Sequence, residues 1–150
     1  MTNAVVPQEK ELYMALTDVE TQIKAVMPKS WDDEDYKRLL SCAALQSRKW
    51  GRNAEERQEI LAGLDIGSFI EAVTTAATCN LMPDGRRGYL ITRRGKAANF
   101  GKGGYTVTFQ ADYKGLVDVA KRADPRILNI HADTVHMNDI FAHVEGSQRE

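Results

Sequence analysis

The spacing of apolar residues changes partway along this chain, and the change restricts the folds that the chain can adopt. Over 9–80, apolar residues recur at intervals of three or four, which is typical of amphipathic helices. Over 89–94 and 105–110 they alternate in the manner of strands, and helical spacing returns over 112–123. Helices followed by a hairpin and a further helix predict an α+β fold and not a parallel α/β sheet.

The first half of the chain predicts four helices, each opened or closed by a residue that favours a helix end. Pro28 ends the first, and the three acids after Asp32 suit the N-terminal end of the second helix dipole. A serine N-cap opens the fourth, which closes before Pro83. The predicted spans are 9–27, a helix opened by Ser30 or Asp32, a short helix within 50–66, and Ser68–Asn80.

The second half predicts a sheet with one packed helix. After the break at Asp124–Pro125, residues 127–136 are predicted to form a strand and 140–144 a second strand, hairpinned to it. Together with the first hairpin and its helix, this gives a ββαββ order and an antiparallel sheet. We expect 1–66 to form an N-terminal helical region and 67–150 an α+β core, both within one structural domain.

The last predicted strand has no element after it to cover its outer edge. An unpaired, partly apolar edge is a liability that proteins normally manage. We therefore expect either that another chain pairs with this edge or that the sequence is the first part of a longer protein.

Positive charge is concentrated in the segment 86–122, where nine Lys and Arg face two Asp, a net charge of +7. The whole chain carries a net charge of only −1, so the remainder is acidic. A basic segment of this density, interleaved with aromatic residues, is typical of a surface that binds a polyanion. The interleaved aromatic residues are Tyr89, Phe100, Tyr105, Phe109 and Tyr113.

These aromatic residues predict two different roles. Tyr89, Tyr105 and Phe109 occupy alternate strand positions, so we expect them to face the core. Tyr113 lies just outside the second strand and beside Lys114, so we expect it near a nucleic acid.

The predicted helix 112–123 carries one acid and three cations on a single face, at steps of three and four residues. That face is either a solvated salt-bridge ladder or, because the cations outnumber the acid, a surface for phosphate. Gly115 lies inside the helix at a cost of about 1 kcal/mol relative to alanine, which predicts close approach of another backbone. The four charged residues are Lys114, Asp118, Lys121 and Arg122.

The hairpin predicts a second cationic site. Arg93 and Arg94 end its first strand, and Lys96 and Lys102 lie in the glycine-rich loop that follows. This loop is either a mobile, solvated turn or a segment whose N–H groups and lysines track a sugar–phosphate backbone. It is not a P-loop, because the glycine spacing is too long and Gly103 stands where Ser or Thr would bind magnesium.

Other chemistry is not indicated. His131 and His136 would point to opposite faces of a strand, and no nucleophile–base pair or carboxylate cluster is present. We therefore expect no catalytic residue, no metal and no cofactor. Cys42 and Cys79 form no CxxC pair and are expected to be free thiols, although the spacing leaves a disulfide open.

Composition is that of an ordinary soluble globular domain, with 150 residues of which 43% are hydrophobic and 27% charged. No apolar run approaches the ~20 residues of a membrane span. The first residues lack the basic and apolar regions of a secretory signal. We expect a cytoplasmic protein without a membrane partner.

Four motifs, in order, resemble the RecT family of phage single-strand annealing proteins over residues 68–146. The strongest is FQADYKGLVDVAKR (Phe109–Arg122), similar to the family's strand followed by a Tyr-Lys/Arg-Gly-Leu helix that ends in Arg. Upstream, SFIEAVTTAATCNLMPD and GRRGYLIT are similar to the family's alanine-rich helix, Leu-x-Pro turn and next strand. Downstream, Ile130–Ala132 and Asn138–Phe141 are similar to its next hairpin, with Asp-x-Phe.

The resemblance implies annealing of complementary DNA single strands without ATP, in homologous recombination and DNA repair. It implies a homo-oligomer that holds single-stranded DNA and the annealing duplex in a basic groove, and it suggests a phage-type exonuclease as a further partner. Annealing breaks no bond, so enzyme activity is not expected. Because family members continue further, the chain resembles the N-terminal part of one, with an incomplete annealing-protein core over 67–150.

Two alternatives remain beside annealing. One is a fragment that binds single-stranded nucleic acid without annealing it; the other, less supported by the residues, is an enzyme that processes nucleic acid. If the chain anneals DNA, the predicted DNA-binding residues are Arg93, Arg94, Lys96, Lys102, Gln110, Tyr113, Lys114, Lys121 and Arg122.

Overall fold

The structure, a computed structural model, describes residues 7–95, 104–127, 130 and 137. Within these residues, five helices precede a two-stranded antiparallel sheet and one helix follows it, which confirms the α+β fold. The elements are α1 (Pro7–Asp18), α2 (Glu20–Val26), α3 (Asp33–Ser47), α4 (Ala54–Ala62), α5 (Ile66–Thr78), β1 (Gly88–Arg94), β2 (Tyr105–Ala111) and α6 (Tyr113–Ala123).

The single helix predicted over 9–27 is two helices, so that prediction is wrong in its continuity. Val19 separates α1 from α2 with φ −107° and ψ 17°, and its carbonyl accepts hydrogen bonds from the N–H groups of Gln22 and Ile23. Leu16 and Ile23, on either side of the break, are both fully buried.

Helix α3 begins where the acids predict. Asp32, and not Ser30, is the N-cap: its Oδ1 accepts from the N–H groups of Glu34 and Asp35 at 2.9 and 3.0 Å. The Asp35 carboxylate accepts from the Asp32 N–H in return, which completes a capping box. The predicted stripe on this helix is buried at Tyr36, Leu39, Leu40 and Ala43, and half-buried at Ala44.

Helix α5 begins two residues earlier than predicted. Its N-cap is Asp65, whose Oδ1 accepts from the Gly67 N–H at 3.0 Å. Ser68 instead connects the helix to the sheet: its hydroxyl donates to the Asp65 carbonyl and accepts from the Val107 N–H at 2.9 Å. The prediction of Ser68 as the cap is wrong: Ser68 lies inside the first turn of α5, and its hydroxyl accepts a hydrogen bond from β2.

The two strands pair in a register that places Leu90 opposite Phe109 and Tyr89 opposite Gln110. Directly opposite side chains share a face. Leu90, Tyr105 and Val107 are buried and Phe109 packs against them, as predicted for the two aromatics. Tyr89 lies on the other face and is 37% exposed, so its predicted place in the core is wrong.

The core lies between α1, α3, α5 and the inner face of the sheet. Phe69 and Trp50 meet edge to face with ring centres 6.0 Å apart, and the buried Trp50 indole N–H donates to the Leu90 carbonyl at 2.9 Å. Tyr105 also exchanges backbone hydrogen bonds with Gly63 and Asp65, each 2.8 Å long. The two strands are therefore held against the helical part at Leu90 and at Tyr105.

Several predictions fall outside the described residues. They include the glycine-rich loop, all three histidines and the strands over 127–136 and 140–144, apart from Ile127 and Ile130. Helix α6 does end at the predicted Asp124–Pro125 break, where the Ile127 N–H donates to the Asp124 carbonyl. Where the structure describes the chain, no helix has the length and apolar character of a membrane span.

Candidate nucleic-acid interface

Helix α6 is fixed against the start of β1 by its glycine. Gly115 is buried, and a Cβ at that position would collide with the backbone carbonyl oxygen of Arg87. The same carbonyl accepts a hydrogen bond from the Asp112 N–H at 2.9 Å. The predicted close approach of another backbone at Gly115 is confirmed, and it sets the position of every cation on α6.

A depression at the N-terminal end of α6 brings four charged residues together with Tyr113. The Arg87 Nε lies 3.0 Å from Asp118 Oδ2, and both side chains are about half exposed. The Lys114 Nζ lies 5.7 Å from the centre of the Tyr113 ring. Arg86 is exposed, while its backbone N–H is held by the Asp84 carboxylate at 2.8 Å. The charged residues are Arg86, Arg87, Lys114 and Asp118.

Arg86 and Arg87 were not among the predicted DNA-binding residues, although they belong to the basic segment. They lie in the turn before β1, where no periodic pattern assigns a direction to a side chain. Asp84 accepts hydrogen bonds from both of their N–H groups, which fixes the turn beside α6. The signal that could have found them is their charge together with Gly115, which requires a neighbouring backbone.

The salt-bridge ladder considered for α6 is not formed. Asp118 pairs with Arg87 from the preceding turn and not with a cation of its own helix. In the described part of the chain, Lys114 and Lys121 take part in no ion pair. Two exposed cations on one helix face therefore keep their charge uncompensated by these residues.

A cavity of about 400 Å³ lies on the other side of Asp118 and is lined by Lys121 and Arg122, with its far wall on α3. Arg122 donates from Nη1 to the Asn80 carbonyl at 2.8 Å and from Nη2 to the Cys79 carbonyl at 3.3 Å. These carbonyls end α5, where a cation is favourable. Arg122 thus holds α6 against α5, in addition to any contact with DNA.

Arg93 and Arg94 point to opposite faces of the sheet, because side chains alternate along a strand. Arg94 lies 3.5 Å from Glu59 Oε1, which also accepts the Tyr105 hydroxyl at 3.0 Å. The hydrogen bond to Glu59 raises the pKa of Tyr105. Arg93 is exposed on the outer face of the sheet, the face that also carries Gln110.

The described residues predicted to bind DNA therefore form two groups, one on the hairpin and one on α6, and not a single cluster. Arg93 is opposite Thr106, and six residue steps separate Thr106 from Asp112 at the start of α6. At about 3.4 Å per residue this is ~20 Å. Lys96 and Lys102 lie outside the described residues. The described cations thus span a length suited to a stretch of polymer.

Metal chemistry finds no support in the described ranges, where no group of three or more His, Cys, Asp or Glu could hold an ion. Cys42 and Cys79 are free thiols, and burial raises the pKa of Cys42.

Comparison with known proteins gives one family. The sequence model described as the RecT family matches residues 52–150, about two thirds of the chain. No curated protein and no solved structure matches the chain significantly. The matched segment contains the sheet, α6 and every cation predicted to contact DNA. The chain therefore belongs to the RecT family, whose proteins anneal single strands in recombination and are not classical enzymes.

Proposed function

We propose that this protein binds single-stranded DNA and anneals complementary strands without ATP during homologous recombination. The observation that carries the proposal is the cationic face of α6, where Lys114 and Lys121 are exposed and have no ion-pair partner among the described residues. This face lies in the segment that matches the family. Family membership supports annealing as the reaction, and the unpaired positive charge supports the cationic face of α6 as the place where DNA binds.

Annealing has two physical requirements that support the choice of this surface. Two polyanions must approach each other, so their phosphate charge must be neutralised. Most of their bases must also stay free to pair, so the protein has to contact mainly phosphate and sugar and not the base edges. Exposed Lys and Arg side chains supply the first requirement and carry no sequence information.

The proposed DNA contacts differ in whether their charge is already paired with an acid of the protein. Lys114, Lys121, Arg93 and the additional residue Arg86 are exposed and have no ion pair within the described ranges, so we propose them as the main phosphate contacts. Arg94 shares its charge with Glu59 and is a weaker contact. The remaining proposed contacts are Lys96, Lys102, Gln110, Tyr113 and Arg122.

We also propose a cytoplasmic homo-oligomer that works beside a phage-type exonuclease. This part rests on family membership, since annealing by assembled subunits allows one strand to be held along several basic surfaces. We further propose that 1–66 and 67–150 act as one domain. Buried core residues come from both parts, among them Leu16 and Leu39 from the first and Phe69 and Val107 from the second.

The test mixes two complementary labelled oligonucleotides with the protein in the absence of ATP. We expect the protein to accelerate pairing, and the double variant Lys114→Ala/Lys121→Ala to lose most of the acceleration. The slope of log K for single-stranded DNA against log salt should also fall by about 1.4, or ~0.7 for each phosphate contact.

The matched control is Lys10→Ala/Lys37→Ala, which removes the same charge from exposed positions of α1 and α3. We expect this control to anneal like the unmodified protein. Equal losses in both double variants would show that the α6 face is not the binding surface. Binding without faster pairing would leave a single-strand binder and contradict annealing.

A further inference from the structure

The cavity between α6 and α3 has a composition that the phosphate contacts do not explain. We propose that it holds one nucleotide unit of single-stranded DNA, with the base against Trp31 and the phosphate between Arg38 and Lys121. Its volume of about 400 Å³ lies in the range of small-ligand sites, ~300–1,000 Å³. This inference rests on the proposed function and adds a place where the strand is held.

Trp31 provides an aromatic wall that is already ordered. The residue lines the cavity and is only partly buried, while part of it packs against the hydrophobic core. Its backbone N–H donates to the Pro28 carbonyl at 2.9 Å, which fixes the turn before α3. A ring held in this way loses little conformational freedom when a base stacks on it. Stacking on an aromatic ring accepts any base, as annealing of arbitrary sequences requires.

The charged side chains of the cavity leave two cations free for a phosphate. Arg87 pairs with Asp118, and Arg122 donates to the carbonyls that end α5. Asp35 accepts the Asp32 N–H in the capping box and keeps its negative charge. The two cations that remain are Arg38 on α3 and Lys121 on α6.

Arg38 and Lys121 have no ion pair or side-chain hydrogen bond to any residue that the structure describes. They line the cavity from two different helices, and both are exposed. A phosphate between them would accept charge-assisted hydrogen bonds from both side chains. It would also connect the N-terminal helices to α6 through the bound strand.

The lining of the cavity also includes the buried apolar residues Leu81 and Met82. A ligand with an anionic group and a flat, apolar ring would use both kinds of lining residue. A nucleotide has this division, whereas a simple anion would leave Trp31, Leu81 and Met82 without contacts.

The α3 wall is a feature of this chain beyond the family match. The matched segment begins at residue 52, after Trp31 and Arg38. The nucleotide unit would thus be held between α6, which the family model matches, and α3, which lies before the match.

Tryptophan emission of the full chain tests the inference, because Trp31 and Trp50 are the only two tryptophans. Trp50 is buried against the sheet, so Trp31 is the accessible reporter. The probes are an oligothymidylate and free dTMP. We expect the oligothymidylate to quench the emission, and Trp31→Phe to abolish the quenching while DNA still binds. Quenching by dTMP as well would show that the cavity also accepts a free nucleotide.

Arg38→Ala is compared with its neighbour Lys37→Ala, which also removes one exposed cation from α3, although one that pairs with Glu34 at 2.7 Å. We expect Arg38→Ala to weaken oligothymidylate binding about two- to fivefold and to lower the salt slope by ~0.7. Lys37→Ala, on the side of α3 that faces Tyr13 and Lys24, should leave both unchanged.

The outcomes separate this inference from the proposed function. If oligothymidylate binds but neither probe changes the Trp31 emission, and the two α3 variants behave alike, the nucleotide site is wrong while DNA binding stands. If dTMP quenches but no oligonucleotide binds, the proposed function is wrong and the cavity is a site for free nucleotides.

Discussion

The N-terminal helices and the hairpin with α6 use the same charged residue types in opposite ways. Residues 1–84 contain fourteen acids and nine Lys and Arg, and cations such as Lys24, Lys37 and Arg52 pair with acids of the same region. Lys24 Nζ is 2.6 Å from Glu20 Oε1 and 2.7 Å from Asp33 Oδ1, and it lies 5.0 Å from the centre of the Tyr36 ring. Hydrogen bonds to Asp33 and then Glu20 raise the pKa of Lys24.

In 86–122 the acids are too few for such pairing. Of the two, Asp118 binds Arg87, and Asp112 begins α6. The comparison teaches that acids neutralise part of the positive charge in the first region and join α2 to α3 at Lys24. In the second region, cations such as Lys114 and Lys121 have no ion-pair partner among the described residues and remain on the surface for a polyanion. Three changes test this contrast, and each should affect one region more than the other.

The largest effect is expected from Gly115→Ala. The added methyl group collides with the Arg87 carbonyl, so α6 must move away from β1. Overpacking of this kind typically costs about 1–3 kcal/mol, and the displaced helix should also lose affinity for single-stranded DNA. Chemical denaturation measures the first effect and fluorescence anisotropy of labelled DNA the second.

Gly67→Ala is the control, because its methyl group would meet only the Asp65 carboxylate, at 3.3 Å. We expect it to retain DNA binding. If Gly115→Ala bound DNA as tightly as this control, the position of α6 would not matter for the interface.

A smaller effect is expected from Glu59→Gln, in the opposite direction. Glu59 neutralises Arg94 from α4, and the amide can still accept the Tyr105 hydroxyl. Arg94 would then be free for phosphate, so we expect affinity for single-stranded DNA to rise about two- to fivefold. Glu55→Gln, exposed on the same helix, is the matched control. Equal gains in both variants would indicate a general charge effect and not the release of Arg94.

The smallest effect is expected from Lys24→Met, and it concerns acid stability. The hydrogen bond from Lys24 lowers the pKa of Asp33. A carboxyl group whose pKa is lower in the folded protein than in the unfolded chain stabilises the fold at pH values above its unfolded pKa of about 4. That stabilisation is lost as the pH falls through the folded pKa. We expect Lys24→Met to lower the melting temperature near neutral pH and to reduce its fall on acidification, with the salt slope for DNA unchanged. A changed slope would place Lys24 in the DNA interface.

Local rules predicted much of this molecule because their causes lie within a few residues. The capping box at Asp32 needs only Asp35 and the intervening N–H groups, so the start of α3 is confirmed. Gly115 predicted a close backbone contact, although the sequence did not identify Arg87 as the partner. Strand alternation placed Tyr105 and Phe109 in the core, but Tyr89 was assigned to the wrong face because the hairpin register was not known.

The candidate site was likewise predicted in part from the sequence and in part only from the packed structure. The sequence alone was sufficient for the fold class, the family resemblance and the basic segment, because periodicity, motif order and charge are properties of the linear chain. The partners of each charge depended on packing. Glu59 reaches Arg94 and Arg122 reaches the end of α5 across 35 and 42 residues of sequence. Only when helices and sheet are packed is it settled which cations are already neutralised and which remain available for phosphate.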